Sequence, residues 1–581
     1  MVRHAPDCLG MLSVLVACAV SPAFASLAPL ASTPAAADTI PAAPDLFDAP
    51  VYYERNRERY VRAGDLELLR AGRVRVQHYE PADVSEFAWS RAGTEYTWWM
   101  QMQEMRFLLP LIASERASDR ALAREWLRRW FTTHVLGDVH KVQWGEPMTF
   151  AYRAMVFVYY LKTERLRAHP DAEAVEMLTT CILSHQQHLT PDAHFDKESN
   201  HGLIDALGLL ETTRVFPNPE ARELALHRIR DMVSRSLSAE GVHMEHAPAY
   251  HFAFLRWLDE ILEYAEDVPD IDRDFVASMA WASARMHNVA YFLQDHRGWI
   301  PPIGDTDSVS VDYYSSKFRF QRPPGDTPYL YDLEAGYAIF KGARRDRRYV
   351  VFRQPSQRFA MPAHAHSDAL AVFMASDGEV LLGDAGRYSY TPGPVRDYFK
   401  SAAAHSTVQP SGRSGAIMLP VVSAPRDVST GSETMWTADL MVGAVQASRV
   451  VRVPSGGRDL VVNDAFFAAS AAPDSGAPHS VTVLWNLGKD VTEVVAVPNT
   501  EAGTWVWALE TRRGQRAHLE LTVRGEPLPA ANVRLSNGRL EPMAGWYSPR
   551  QGVKRPVPII EATLNVENGA YLETRVRLHR R

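Results

Sequence analysis

The hydrophobic pattern of the 581-residue chain changes once along its length, and this change limits the folds that the chain can adopt. From about Val51 to Leu293 the pattern has a helical period, whereas residues 349–523 contain short runs rich in β-branched residues. The stretch Asp305–Thr327 is rich in Gly, Pro, Asp and Ser, and we interpret it as an interdomain connection. A chain of this length exceeds one hydrophobic core, so two or more domains are predicted.

The first half of the chain predicts a succession of helices. Apolar residues recur at spacings of three and four, as at Leu203, Leu207 and Leu210, so one buried stripe is expected on each helix. Short loops with Pro or Asp favour antiparallel neighbours. Such hairpins suit an incomplete α/α toroid and would equally suit a solenoid. The helices are predicted at residues 96–109, 120–134, 148–161, 172–188, 200–213, 219–237 and 249–265.

The second half predicts an antiparallel β-sandwich. Its apolar runs are short, and turn signals such as Ser455-Gly456-Gly457 separate them. Many short strands without intervening helices are typical of packed antiparallel sheets. The strands are predicted at residues 349–352, 370–374, 380–382, 450–453, 460–462, 481–485, 505–509 and 519–523.

The N-terminus is typical of an exported protein. Leu9–Val20 is an apolar run too short to span a bilayer easily, and Ala23-Phe24-Ala25 offers a small-x-small cleavage site. We therefore predict a signal peptide at residues 1–25, a flexible leader at residues 26–48, no membrane span, and a periplasmic or secreted location. Outside the predicted signal peptide Cys181 is alone, so no disulfide framework is expected.

The net charge of −7 excludes the basic footprint of a nucleic-acid-binding protein and favours a non-sulfated ligand over a heavily sulfated one.

The second half contains the residues best suited to a metal. His364 and His366 lie two apart in a predicted strand, so they would share one face. Asp384 follows an apolar strand and His405 precedes Ser406. Two histidines and one aspartate suit zinc, but exposed edge-strand histidines and a turn-stabilising aspartate explain the same residues.

Two polar motifs lie in the helical half. Asn200 and His201 stand where a helix is predicted to start, so Asn200 could simply be a helix cap beside an exposed histidine. The stretch from Glu245 to Tyr250 concentrates ionisable groups around a proline, and a tyrosine at a helix start is commonly a packing residue. Neither motif alone decides a function.

Taken together and in this order, the motifs resemble the heparinase II/III superfamily. The elements are Asn-His, Glu-x-x-Pro-x-Tyr at residues 245–250, His-x-His-x-Asp at 364–368, Asp-x-Gly-x-Tyr at 384–388 and Ala-His-Ser at 404–406. The resemblance covers nearly the whole mature chain, including the Trp89–Trp99 region and Ile303-Gly304-Asp305. It implies an α+β protein with an N-terminal incomplete α/α toroid, here residues 49–325, and a C-terminal antiparallel β-sandwich domain, here residues 326–581.

The resemblance also implies an activity and a set of residue roles. Members are polysaccharide lyases that cleave uronic-acid-containing polymers by β-elimination, so an acidic polysaccharide or oligosaccharide is the expected partner. Asn200 and His201 would face the substrate carboxylate, and Tyr250 and His364 would transfer protons. Glu245 and either Tyr388 or Tyr390 would contribute to substrate binding. A structural zinc site would be formed by His366, Asp384 and His405. Where the family often has serine, Ala247 stands.

Other functions fit the same sequence. A lyase for alginate or another non-sulfated uronate polymer is the nearest alternative, and a noncatalytic glycan-binding or assembly protein is another. A glycoside hydrolase that uses Glu245 and an aspartate would generate no unsaturated sugar. Binding alone does not require a proton-transfer residue, so the joint presence of Tyr250 and His364 favours a lyase.

Overall fold

A computed structural model describes most of the chain. The described residues are 50–76, 79–83, 96–136, 147–267, 271–325, 327–343, 346–358, 361–411, 421–468, 480–525 and 531–580. The predicted signal peptide, the predicted leader and Trp89 lie outside these residues. In the described residues, no helix has both the length and the apolarity that a membrane crossing requires.

The first half is helical, and all seven predicted helices are confirmed. The predicted helix at residues 96–109 is interrupted at Met105, whose φ of 59° is left-handed and ends the regular hydrogen-bond pattern. The helices are α1 Tyr52–Tyr60, α2 Asp65–Arg70, α3 Tyr96–Gln103, α4 Leu109–Ile112, α5 Ala117–Phe131, α6 Pro147–Arg165, α7 Ala172–Leu189, α8 His201–Val215, α9 Pro219–Ser236, α10 Pro248–Asp267, α11 Arg273–Phe292 and, later in the chain, α12 Pro394–Lys400.

The helices differ in how completely they are buried. Every residue of α8 from Gly202 to Val215 is buried, because α8 packs against α6, α7 and α9. The prediction of one buried stripe is therefore wrong for α8, although it holds for α9, whose buried residues recur at helical spacing. The backbones of α6 and α8 meet at Gly208, where a Cβ atom would lie 2.5 Å from Ala151 Cα.

The second half consists of antiparallel sheets, and all eight predicted strands are confirmed. A five-stranded sheet has the order β3-β4-β5-β6-β7, an eight-stranded sheet β14-β15-β16-β23-β12-β11-β10-β9, and a four-stranded sheet β17-β22-β13-β8. Their strands are β3 Tyr329–Asp332, β4 Tyr337–Lys341, β5 Arg348–Arg353, β6 Val372–Ser376, β7 Glu379–Leu382, β8 Val408–Pro410, β9 Val421–Asp427, β10 Glu433–Val442, β11 Val445–Pro454, β12 Asp459–Ala468, β13 Ser480–Asn486, β14 Val491–Val497, β15 Thr504–Thr511, β16 Arg516–Arg524, β17 Ala531–Asn537, β22 Pro558–Asn565 and β23 Ala570–Leu578.

Short strands make up the remaining pairs. Three two-stranded sheets pair β1 with β2, β18 with β19 and β20 with β21. These six strands are β1 Arg73–Val74, β2 Ala82–Asp83, β18 Arg539–Leu540, β19 Met543–Ala544, β20 Trp546–Arg550 and β21 Val553–Pro556.

The five-stranded sheet belongs to two hydrophobic cores at once. Side chains alternate between its faces, so neighbours in one strand enter different cores. One face packs into the core of the helices, with Tyr337, Ile339, Tyr349, Val351, Phe373 and Ala375. The other face packs into the core of the larger sheets, with Ala338, Phe340, Val350, Phe352, Val372 and Met374. Helices and sheets consequently form one compact unit, Asp45–Arg581.

The predicted connection Asp305–Thr327 is irregular, as expected. Its one regular piece in the described residues is a 3₁₀ turn at Val311–Tyr313. It does more than link two domains, because its start, together with the two residues before it (residues 303–306), contacts both the first turn of α10 and the backbone of His364. That position makes this 303–306 segment part of the candidate site.

Candidate active site

Tyr250 and His364 form the centre of the site, one from each half of the chain. Tyr250 lies in the first turn of α10, which starts at Pro248, and Pro is favoured at such starts. His364 ends a 3₁₀ turn at Pro362–His364. The two rings stack with their centroids 3.7 Å apart and their planes at 10°. Folding therefore places a phenol of the helical half directly against an imidazole of the sheet half.

The strand predicted for His364 and His366 is wrong. His364 belongs to a 3₁₀ turn, His366 follows in a loop, and the next strand starts only at Val372. Pro362 cannot donate a backbone hydrogen bond to a sheet, which disfavours a strand here. Both imidazoles nevertheless converge, because both donate to Asp305, through His364 Nδ1 and His366 Nε2, each at 2.9 Å.

Tyr390 is the second tyrosine of the site. Its hydroxyl lies 2.7 Å from the hydroxyl of Tyr250, and the guanidinium of Arg387 lies 4.7 Å from its ring centroid. Tyr388 points elsewhere and stacks on Phe399 with the ring centroids 5.3 Å apart. Burial, with a smaller contribution from Tyr390, raises the pKa of Tyr250 well above its usual value. The resting Tyr250 is therefore a neutral phenol.

Asn200 is fixed by a buried carboxylate. Its backbone N and its side-chain Nδ2 donate to Glu245 Oε1 and Oε2, each at 2.6 Å, and its side chain makes no helix-cap bond. Glu245 is 0% exposed, and burial raises its pKa. Its Oε2 also lies 3.7 Å from His364 Nε2. The structure shows Glu245 holding Asn200, while its direct contact with a substrate stays a prediction.

His201 starts α8 and is partly accessible. About a third of its side chain is exposed, at 32%, and its Nδ1 lies 3.7 Å from Asp196 Oδ2. Its predicted contact with a substrate carboxylate stays a prediction.

Asp305 is the residue that the sequence motifs did not single out. It is buried and accepts hydrogen bonds from Nη1 and Nη2 of Arg396, at 2.6 and 2.8 Å, besides those from the two histidines. Burial would raise the pKa of Asp305, but the bonds from His364 and His366 outweigh burial and hold that pKa well below its usual range. The only sequence signal was its place after Ile303-Gly304.

The predicted metal ligands lie close to one another. His405 Nδ1 donates to Asp384 Oδ2 at 2.9 Å, and the rings of His366 and His405 are 5.3 Å apart. His366 Nδ1 and His405 Nε2 are buried without a hydrogen-bond partner. Within the described ranges, no set of three or more His, Cys, Asp or Glu side chains is arranged around one point as a metal ion requires.

Comparisons with known proteins identify the family and the fold. Residues 78–321 match the family model described as heparinase II/III N-terminus, and residues 330–576 match the one described as heparinase II/III-like, C-terminal. A sequence comparison with curated proteins gives no match.

Solved structures share the fold at low identity. A heparinase III crystal structure aligns with a TM-score of 0.72 and 12% identity, over 89% of this chain and 85% of its own. The heparan sulfate lyase HepC from Pedobacter heparinus aligns with a TM-score of 0.60 and 15% identity, over 92% and 84%. A chondroitinase AC lyase aligns with a TM-score of 0.53 and 10% identity, over 93% and 83%. The predicted fold class, an α/α toroid followed by an antiparallel β-sandwich, is confirmed. The chain belongs to the heparinase II/III family.

Proposed function

We propose that the protein is a polysaccharide lyase that cleaves uronate-containing polysaccharides by β-elimination and leaves a C4–C5 unsaturated uronate end. The observation that carries this proposal is the stack of Tyr250 on His364, with Asn200 held nearby by Glu245. Membership of the heparinase II/III family supports it, and two structural relatives are titled as a heparan sulfate lyase and a chondroitinase AC lyase.

Asn200 supplies the donor that the first step needs. Removal of the C5 proton builds negative charge next to an ionised carboxylate, and preorganised donors relieve that charge as it develops. A side-chain amide has two N–H groups, and Asn200 uses one of them for Glu245. The second is available to the substrate carboxylate, with His201 as a further donor.

His364 and Tyr250 divide the proton transfers. His364 takes the proton from C5, and the electrons of that bond form the C4–C5 double bond while the C4–O4 bond breaks. The neutral phenol of Tyr250 donates its proton to the leaving O4. Exchange with water then removes the proton from His364 and returns one to Tyr250, which restores the resting state. If the C5 proton and the O4 leaving group depart from one face of the sugar, Tyr250 alone can act first as the base and then as the acid.

The test is formation of the unsaturated product. Incubation with a panel of uronate polysaccharides should give the ultraviolet absorbance of the C4–C5 double bond, and Tyr250→Phe or His364→Ala should each abolish it. Product formation that survives both substitutions would falsify the site assignment. New reducing ends without absorbance would instead show hydrolysis, and binding without either signal would show a noncatalytic glycan-binding protein.

A non-sulfated substrate such as alginate is the second candidate. Two arginines contact the Tyr390 ring, and aspartates neutralise both: Arg387 pairs with Asp307 at 2.8 Å and Arg396 with Asp305 at 2.6 Å. Neither cation is left to balance a sulfate group. The polysaccharide panel should therefore include sulfated and non-sulfated polymers, and turnover restricted to heavily sulfated ones would exclude this candidate.

Zinc at His366, Asp384 and His405 is also proposed, as a structural ion. The unpartnered ring nitrogens of His366 and His405 support it, since buried polar atoms normally find a partner. When bound, the ion would tie the loop of His366 to the loops of Asp384 and His405. Removal by a chelator should lower the melting temperature and the activity together. Unchanged melting in a preparation shown to be metal-free would exclude a structural metal.

Export to the periplasm or the medium completes the proposal. It is supported by the apolar run at Leu9–Val20 and by the small residues that follow. Cell fractionation should find a mature protein that lacks about the first 25 residues, in line with the length of a secretory signal. A full-length protein in the cytoplasmic fraction would contradict it.

A further inference from the structure

Asp305 occupies the junction between the two halves of the site. Its Oδ2 accepts from His364 Nδ1 at 2.9 Å, while its Oδ1 accepts from His366 Nε2 at 2.9 Å and from Arg396 at 2.6 Å. We infer that Asp305 is a positioning residue that sets the orientation of the His364 ring. This inference rests on the proposed lyase function and assigns no direct contact between Asp305 and the substrate.

The backbone around Asp305 is locked to both catalytic elements. Asp305 N donates to His364 O at 3.2 Å, and Thr306 Oγ1 accepts from Ala249 N, in the first turn of α10, at 3.1 Å. Gly304 has a φ of 57°, and a Cβ atom there would lie 2.8 Å from both His246 O and His364 O. The 303–306 segment thus spans from the helix of Tyr250 to the loop of His364.

The bond to His364 determines which ring nitrogen is left for chemistry. An ionised carboxylate only accepts, so His364 Nδ1 carries the hydrogen and Nε2 becomes the free position. That Nε2 lies on the side of Glu245, at 3.7 Å, while the ring face lies against Tyr250. Loss of the carboxylate removes the hydrogen bond from Nδ1, which holds the rotation of the ring within its stack on Tyr250.

A purely structural role for Asp305 is the alternative. Arg396 is buried and makes two bonds to the carboxylate, so loss of Asp305 also leaves a buried cation unpaired. Substituting Arg396 at the same time removes that cation. The double variant therefore separates loss of stability from loss of His364 orientation.

The experiment compares Asp305→Asn, Arg396→Met and the double variant for kcat, KM, melting temperature and metal content. Asp305→Asn should lower kcat by about 10- to 100-fold, the size of effect seen when the carboxylate partner of a metal-ligating histidine is removed, with KM changed less than about threefold. The double variant should regain most of the melting temperature and keep the low kcat. Recovery of kcat together with stability, or a kcat loss that follows metal content across the variants, would overturn the inference.

Crystal structures of the wild type and the double variant test the inference without activity. The His364 ring should leave its stack on Tyr250 or rotate within it in the double variant, and an unchanged ring would also overturn the inference. A wild type that forms no unsaturated product on any uronate refutes the proposed function, and these structures still decide whether Asp305 positions His364.

Discussion

Two buried carboxylates flank His364, and they are stabilised in opposite ways. Glu245, on the helical side, is bonded by the amide and backbone of Asn200, and burial raises its pKa. Asp305, on the sheet side, is bonded by Arg396 and by the imidazoles of His364 and His366, and the two imidazoles hold its pKa well below the usual range against the effect of burial. The two carboxylates are equally buried, yet their pKa values shift in opposite directions, because their hydrogen-bond partners differ.

The contrast extends to the histidines around each carboxylate. On the helical side, burial lowers the pKa of His243, of His246 to about 4 and of His251 to about 3. On the sheet side the two histidines differ: Asp384 outweighs burial and raises the pKa of His405, whereas burial prevails at His366 and lowers its pKa. The helical side thus favours neutral histidines, and the sheet side combines a neutral histidine with charged pairs. An elimination site needs both: neutral donors for the substrate, and fixed charges to hold the imidazole.

The largest expected difference is in stability. Asp305→Asn leaves the Arg396 cation buried and unpaired, so the free energy of unfolding should fall by about 3–5 kcal/mol. Glu245→Gln leaves only an amide without its ideal partner and should lower it by about 1–3 kcal/mol. Urea unfolding of both variants measures the difference. Equal losses would mean that the two carboxylates are held alike.

The next effect is on catalysis from the helical side. Glu245→Gln turns an acceptor toward Asn200 into a donor, so the Asn200 amide should lose its orientation and kcat/KM should fall by about 100-fold. Asn200→Ala should give a similar loss. The double variant should be no worse than either single one, because both act through one amide. Additive losses would contradict a shared role.

Acid should destabilise the protein through the helical-side histidines. Their folded-state pKa values lie below the unfolded value, so the unfolded chain binds more protons and stability is lost as pH falls below about 6.5. Each histidine should contribute up to about 1.4 kcal/mol per pH unit, seen in chemical unfolding between pH 6.5 and 4.5. His251→Gln, which gains no proton in this range, should have a shallower slope. Identical slopes would contradict the assignment.

The smallest effect separates the two tyrosines of the sheet side. Tyr390→Phe removes one neutral hydrogen bond to Tyr250, of about 1 kcal/mol, and should lower kcat by about fivefold. Tyr388→Phe leaves its stack on Phe399 in place and should change kcat by less than about twofold, within the usual range for a surface change. Steady-state kinetics distinguishes them, and the reverse order would reassign the second tyrosine.

The helical side of the site was largely predictable from sequence. The start of α8 at His201 and of α10 at Pro248 follow local signals, an asparagine before an apolar run and a proline at a first turn. Local signals do not predict that the Asn200 side chain bonds to Glu245, because Glu245 lies 45 residues away.

The sheet side was predicted less well because its geometry is set by distant contacts. His364 and His366 were placed on a strand by their spacing, whereas Asp305, 59 and 61 residues away, holds them in a loop. Asp305 itself lies in a stretch whose composition indicates only a connection, and its partner Arg396 is 91 residues away. Residue spacing predicts which face of a helix or strand a side chain occupies, and His364 and His366 lie in neither an α-helix nor a strand.

The five-stranded sheet has a practical consequence for any attempt to divide this protein. The two family models meet between residues 321 and 330, which suggests a natural place to cut. A cut there would assign the sheet to the C-terminal fragment and expose to water the face that carries Tyr337, Tyr349 and Phe373. The C-terminal fragment should therefore aggregate. The N-terminal fragment should lack His364 and the five-stranded sheet that completes its hydrophobic core. Both halves of the chain are needed to assemble the proposed site.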